Sequence, residues 1–437
     1  MDWKNYMTRF RLNFSWIDPL GAKGDEFRAT WAQLEIIVDG QVLSRLLDDD
    51  LNAVRNHIYL PLYPVAEWLA ENWWSLFYEA ETDAPRPGAL ERHNLRFAGE
   101  GFFLPDLGIY PVGDLLQLTW RSGTRQGWAG EFLRSGSTTL PRAVVKGELN
   151  RFVEAVLARL DERGITDTYL ARTWNEIHNL QPDQLDFCRT AGALGLDPFS
   201  LNEEAVTAII DAHEQLEKLP GFHEDVEREF FQSANLDCVR EQSHDFFHTA
   251  DRLVKAAVPV NGSLSSTDLK LHSDQQPWAE GYRLAREVRE QLGLQDHRFN
   301  GLADLKARVT TSDLPIIDMS PASLPRAAFT RTENRAAFGL PQSSFETGRI
   351  FSFARAVGSF LATSRSLGIV TGSQTYEQKM NRAFAAELLA PAHLLEDHFA
   401  GRLITDDSTE EIASQLSVSP LVIQHQVENH GLGKFNF

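Results

Sequence analysis

Cysteine is almost missing from this chain, with only Cys188 and Cys238 among 437 residues. The two stand fifty positions apart in helical patterns and neither has a CxxC partner, which excludes a disulfide framework and a thiolate zinc site. Two reduced, buried side chains are expected. Long apolar runs are missing as well. No window offers the roughly 18 uninterrupted apolar residues of a spanning helix, and the opening MDWKNYMTRF has no basic stretch followed by an apolar one. A soluble, cytoplasmic protein with no membrane partner is the expectation. Internal repeats, low-complexity segments and phosphate-cradling glycine loops are also absent.

Positive charge is short overall. The net charge of -19 argues against a broad nucleic-acid surface, which needs Lys and Arg in excess on one face. The exception is the segment 326–390, where eight Lys or Arg face four Glu. A local basic groove is therefore open to it, and to it alone.

What is present suggests an α+β chain of several domains, since 43% hydrophobic and 24% charged residues is an ordinary globular balance. Residues 1–145 hold eight of the ten tryptophans and most of the strand-like alternation. There, 27–38 alternates into Asp39-Gly40, a two-residue hairpin signal, and 41–47 returns. A helix is predicted over 65–78, short strands over 101–104 and 115–120, and an amphipathic helix over 142–163. Residues 146–270 read as a helical domain, with helices over 167–180, 183–194, 202–219, 224–233 and 237–257, closed by a polar linker over 259–276. Within it, Gly195-Leu196-Asp197-Pro198 resembles the centre of a helix-turn-helix over 185–201. The plainer account is a tight corner in a bundle, because Asn202-Glu203-Glu204 offers nothing basic to phosphates. Residues 271–437 hold a helix over 278–292, a strand over 314–318, a strand pair over 327–330 and 336–340, two helices within 349–391 and a closing helical pair over 408–416 and 421–429.

The residues of this last part carry a family resemblance. GYRLAREVREQLGL, the strand LPIIDM, the strand pair, Arg349-Ile350, Ala354 to Ser359, Phe384-Ala385-Ala386-Glu387-Leu388-Leu389-Ala390-Pro391 and Val418-Ser419 follow the order of the ImmA/IrrE family of zinc metallopeptidase domains. The upstream part is similar to the extension of longer bacterial members. The resemblance implies a zincin-like α+β domain, in which one helix carries His-Glu-x-x-His and a second supplies a carboxylate. In this chain Arg355 and Ser359 stand where the ligand histidines belong, Ala356 where the catalytic glutamate belongs, and Met380, or Lys379 with one insertion, where the third ligand belongs. A guanidinium stays protonated and has no lone pair for zinc, and alanine cannot deprotonate a bound water. The expectation is a pseudoenzyme without cofactor. Its cleft, with Arg349, Arg355, Arg382 and Glu377, either receives an anionic group or closes as an Arg355–Glu377 ion pair. Glu377 and Glu387 are expected to pair with arginines rather than with a cation. The family's active members commonly cut repressor-like regulators and travel with mobile elements and phage defence, so a protein partner in such a system is implied.

One further constellation stands outside the resemblance. Ser243-His244-Asp245-Phe246-Phe247-His248 places two histidines at i, i+4 with an acid between them, formally like a zincin helix. With His223 or Glu224 as third ligand it would make a zinc enzyme. The alternative is an amphipathic helix with its histidines at the rim.

Overall fold

A computed structural model of the chain describes residues 9–18, 24–99, 101–125, 127–259, 276–309, 314–320, 324–332, 335–342, 345–399, 404–433 and 435. The opening residues 1–8 and nearly all of the expected linker lie outside this set. The architecture is mixed α+β, with many helices and four small sheets among the described residues. None of the described helices is long and apolar enough to cross a membrane. Two compact units divide between Glu203 and Glu204.

The first unit is built on antiparallel strands. Phe10–Trp16 and Trp31–Val38 pair along their whole length, from Phe10 opposite Val38 to Trp16 opposite Ala32. The hairpin turn is Asp39-Gly40, both with positive φ (50° and 77°), as a two-residue turn of this hand demands. The strand begins later than its alternation suggested. Asp25 and Glu26 start a short helix, Asp25–Ala29, where their charges favour the amino end. The aromatic helix divides into Tyr63–Glu71 and Trp73–Tyr78, because Asn72 turns its side-chain amide back onto the Trp68 carbonyl at 2.8 Å. Residues 101–104 form no strand; Phe102 N bonds Gly99 O in a turn, and Gly101 adopts φ 100°.

Helix Arg142–Glu162 closes this unit. Its Val145, Leu149, Phe152, Val153, Val156 and Leu160 recur at three- and four-residue spacing and are all buried. Each removes apolar surface worth about 1.5–3 kcal/mol, which ties the helix to the first core. Beneath Trp73–Tyr78 lies a buried ionic group. Glu79, 2% exposed, accepts from Arg92 at 2.9 and 2.7 Å and lies 3.1 Å from His93 Nε2. Burial alone would raise its pKa, but His93 and Arg92 outweigh it and hold the carboxyl near 2. Gly195, φ 74°, seats against this pair: a Cβ there would stand 2.3 Å from Glu79 Oε1. The corner resembling a helix-turn-helix thus covers an ion pair. The helices on either side of it, Pro182–Ala193 and Glu203–Glu217, fall largely in different units.

The second unit centres on a five-stranded sheet in which Arg335–Pro341 pairs with Val258–Pro259, Ala327–Thr332 and, in parallel, Ile316–Met319; Leu367–Val370 pairs with Ala327–Thr332. The run Ala327-Ala328-Phe329 is apolar throughout because both faces are covered. Neighbouring residues Phe338 and Gly339 point to opposite faces. Phe338 meets Phe353 and Phe360 of helix Glu346–Ala362, whereas Gly339 lies against Leu253 of helix Val239–Ala256. That second cover draws the middle helices into this unit.

Candidate functional site

The helices Glu346–Ala362 and Tyr376–Leu389 cross closely. Gly358 permits it, since a Cβ there would stand 2.6 Å from the Phe384 ring. Helix Pro277–Gln291 packs along Tyr376–Leu389 on another side, with Gly281 against the Met380 carbonyl. These contacts bring together the positions singled out by the resemblance.

Arg355 is 2% exposed and lies in the interior, not on the floor of an open cleft. Its Nε donates to Asn381 Oδ1 at 2.7 Å, and its Nη2 to Gln378 Oε1 at 2.8 Å and to the Thr371 carbonyl at 3.0 Å. Gln378 is the hub of this network. Its Oε1 also accepts from Thr371 N at 3.0 Å and from Asn381 Nδ2 at 3.2 Å, while its Nε2 donates to Ile369 O at 3.0 Å. Ala356 and Ser359 are fully buried, as is Met380 at 2%.

Glu377 does not join Arg355 in the expected ion pair. It accepts from the Ser359 hydroxyl and pairs with Arg365. Burial opposes the charge on Arg365, but Glu377, with Asp225 and Glu229 beyond it, holds its pKa above the usual value. The remaining cleft candidates point elsewhere: Arg349 to Asp318 at 3.2 Å, and Arg382 to Gln374 Oε1 at 3.0 Å. Two further arginines of the basic segment donate to main-chain carbonyls. Arg331 donates to the carbonyls of Thr363 and Phe360 and lies 3.7 Å over the Phe360 ring, and Arg335 donates to Ala257 O. Glu387, 1% exposed, pairs with Arg286 at 2.7 Å and accepts from Gln426 Nε2 at 3.0 Å.

Sequence reasoning missed the residue that closes the site. Glu229, on helix Glu224–Ser233, is 7% exposed and accepts from the hydroxyls of Ser373 at 2.8 Å, Thr371 at 3.4 Å and Thr375. Burial, and then the charge on Glu377, push its pKa up, against the pull of the Thr375 and Ser373 hydroxyls. A signal existed: Glu229 sits three residues after Val226 and one before Phe230, on the buried face of its helix.

These groups do not fit zinc. Arg355 is a cation whose donors are engaged with Asn381, Gln378 and Thr371, and Ser359 and Met380 bring no strong zinc donor. Among the described residues no group of three or more His, Cys, Asp or Glu is placed to hold a metal. No protein-family model, curated protein or solved structure matches this chain.

His244 and His248 lie on helix Val239–Ala256, exposed, with their Nε2 atoms 3.1 Å apart. His223 instead caps its own helix, its Nδ1 accepting from Asp225 N at 3.2 Å. Cys188 is buried, which raises its thiol pKa to about 11, and Cys238 is half-buried.

Proposed function

We propose that this protein works by binding and not by hydrolysis: a non-catalytic scaffold or regulator whose residues 271–437 are a degenerate relative of ImmA/IrrE metallopeptidase domains. Its partner in this reading is another protein, in a bacterial regulatory or defence setting of the kind the resemblance implies. The observation that carries the reading is Arg355. A buried guanidinium bonded to Asn381, Gln378 and Thr371 stands where a zinc-binding histidine would be needed. Ala356 beside it has no group that can take a proton from water. The site is filled by its own side chains, and that filling supports the reading.

Proteolysis tests it. The full-length chain is incubated with zinc and with repressor-like DNA-binding proteins, and cleavage is followed by mass spectrometry. No cleavage above a chelator-treated control is expected. Zinc-dependent cleavage that disappears in Glu377→Gln or in His248→Ala overturns the proposal.

A further inference from the structure

His244 and His248 are a pair of ordinary metal-ligand type that the proposed function leaves unused. Residues four apart lie on one face of a helix, and here that face is the outer one. Phe246, Thr249, Ala250 and Leu253 of the same helix are buried, and the helix packs on the sheet of the second unit, which fixes its backbone. The two rings meet edge to face, with centroids 4.3 Å apart and planes at 86°. Their Nε2 atoms converge to 3.1 Å. In a tetrahedral zinc site with Zn–N bonds of about 2.0–2.1 Å, two imidazole nitrogens stand about 3.3–3.4 Å apart. A side-chain adjustment of a few tenths of an ångström therefore converts a His–His hydrogen bond into a chelate. Of the nearby cations, Arg240 is paired with Asp211 at 2.8 Å and Lys255 with Asp251 at 2.6 Å, while the exposed Arg252 stands one turn beyond His248. Glu241 and Asp245 are exposed on either side of His244 along the chain and add negative charge.

We propose that His244 and His248 form a surface chelate for a borderline divalent cation, Zn²⁺, Cu²⁺ or Ni²⁺. The protein supplies two ligands, and water takes the other coordination positions in the free protein. Two neutral imidazoles suit these ions and not Mg²⁺ or Ca²⁺, which take oxygen ligands. Among the described residues no third His, Cys, Asp or Glu joins the pair, so the proposal is a binding site and not a hydrolytic centre. It stands independently of the proposed function, whose test reads cleavage.

The test is a calorimetric titration of the metal-free, full-length protein with CuCl₂, ZnCl₂ or MgCl₂ alone. One equivalent of Cu²⁺ and of Zn²⁺ is expected to bind, with no Mg²⁺. His244→Ala and His248→Ala, with unchanged circular dichroism, are each expected to weaken binding by about 100-fold, the gain that joining two ligands confers. His425→Ala, at an exposed histidine elsewhere, is expected to leave it unchanged. A second readout does not depend on the variants: the electron paramagnetic resonance spectrum of the Cu²⁺ complex is expected to carry superhyperfine structure from two imidazole nitrogens. Unaltered affinity in both variants, absence of saturable Cu²⁺ binding, or coupling to fewer than two nitrogens overturns the proposal.

Discussion

Ser373 donates its hydroxyl to the carboxylate of Glu229 at 2.8 Å, joining a loop to a helix 144 positions earlier. Thr371 and Thr375 bind the same carboxylate, and burial raises its pKa above the ordinary 4.5. Between those two values the folded protein keeps a proton that the unfolded chain has released. The stability linked to Glu229 is therefore complete below pH 4.5 and declines as pH rises through the folded value. Glu229→Gln, neutral and of the same shape, is expected to remove that slope, which is limited to about 1.4 kcal/mol per pH unit. Urea midpoints measured from pH 4 to pH 9 check this; parallel curves for the two proteins would sink it.

Removing the Arg355 guanidinium leaves Asn381 Oδ1, Gln378 Oε1 and the Thr371 carbonyl without this donor inside the protein. Arg355→Leu is expected to cost about 3 kcal/mol or more, since each unsatisfied buried group costs about 1–3. Arg355→Lys, with one ammonium in place of a planar fork, is expected to fall between. Equilibrium urea unfolding measures both, and a wild-type midpoint for Arg355→Leu refutes the network's role.

Gly358 and Phe384 set the crossing of the two site helices. Gly358→Ala is expected to destabilise by about 1–3 kcal/mol, the usual cost of overpacking. Phe384→Leu costs stability alone but is expected to relieve part of the clash in the double variant. A thermodynamic cycle reads that coupling, and simple additivity contradicts it.

Glu79 has the opposite sign to Glu229. Its carboxyl is held near 2, so its contribution is present above the ordinary 4.5 and is lost as pH falls from there towards 2. Glu79→Gln strands Arg92 and His93 and is expected to cost about 3–5 kcal/mol at pH 7, with a flatter acid limb. Acid titrations followed by tryptophan fluorescence compare the limbs.

Much of the fold was legible locally. Helix Glu224–Ser233 matches its predicted span residue for residue, and the Asp39-Gly40 turn sits where its chemistry required. Periodicity reports which face of an element is apolar, but not which element will cover it. For that reason 167–180 and 237–257 read as parts of one helical domain, although Tyr169–His178 joins the N-terminal core and Val239–Ala256 covers the C-terminal sheet. Gly195 has the look of a turn glycine, but the ion pair it covers comes from 79 and 92. The site divides in the same way. Arg355 and Ser359 were singled out by the family resemblance, and Glu377 by its place as a carboxylate among basic residues. Their partners Asn381, Gln378 and Arg365 are set by tertiary packing, and helical periodicity places Glu229 on a buried face without naming the hydroxyls it meets.

The inward turn of Arg331 and Arg355 has a consequence for encounters with other molecules. A chain of net charge -19 that uses these two cations on its own carbonyls presents a more acidic exterior than its composition suggests. Approaching cations and basic surfaces are then steered inward from afar, and acidic ones are turned away. The reach of that steering is about 30 Å at 0.01 M salt and about 8 Å at 0.15 M, so salt alters how fast a basic partner arrives before it alters how firmly it is held.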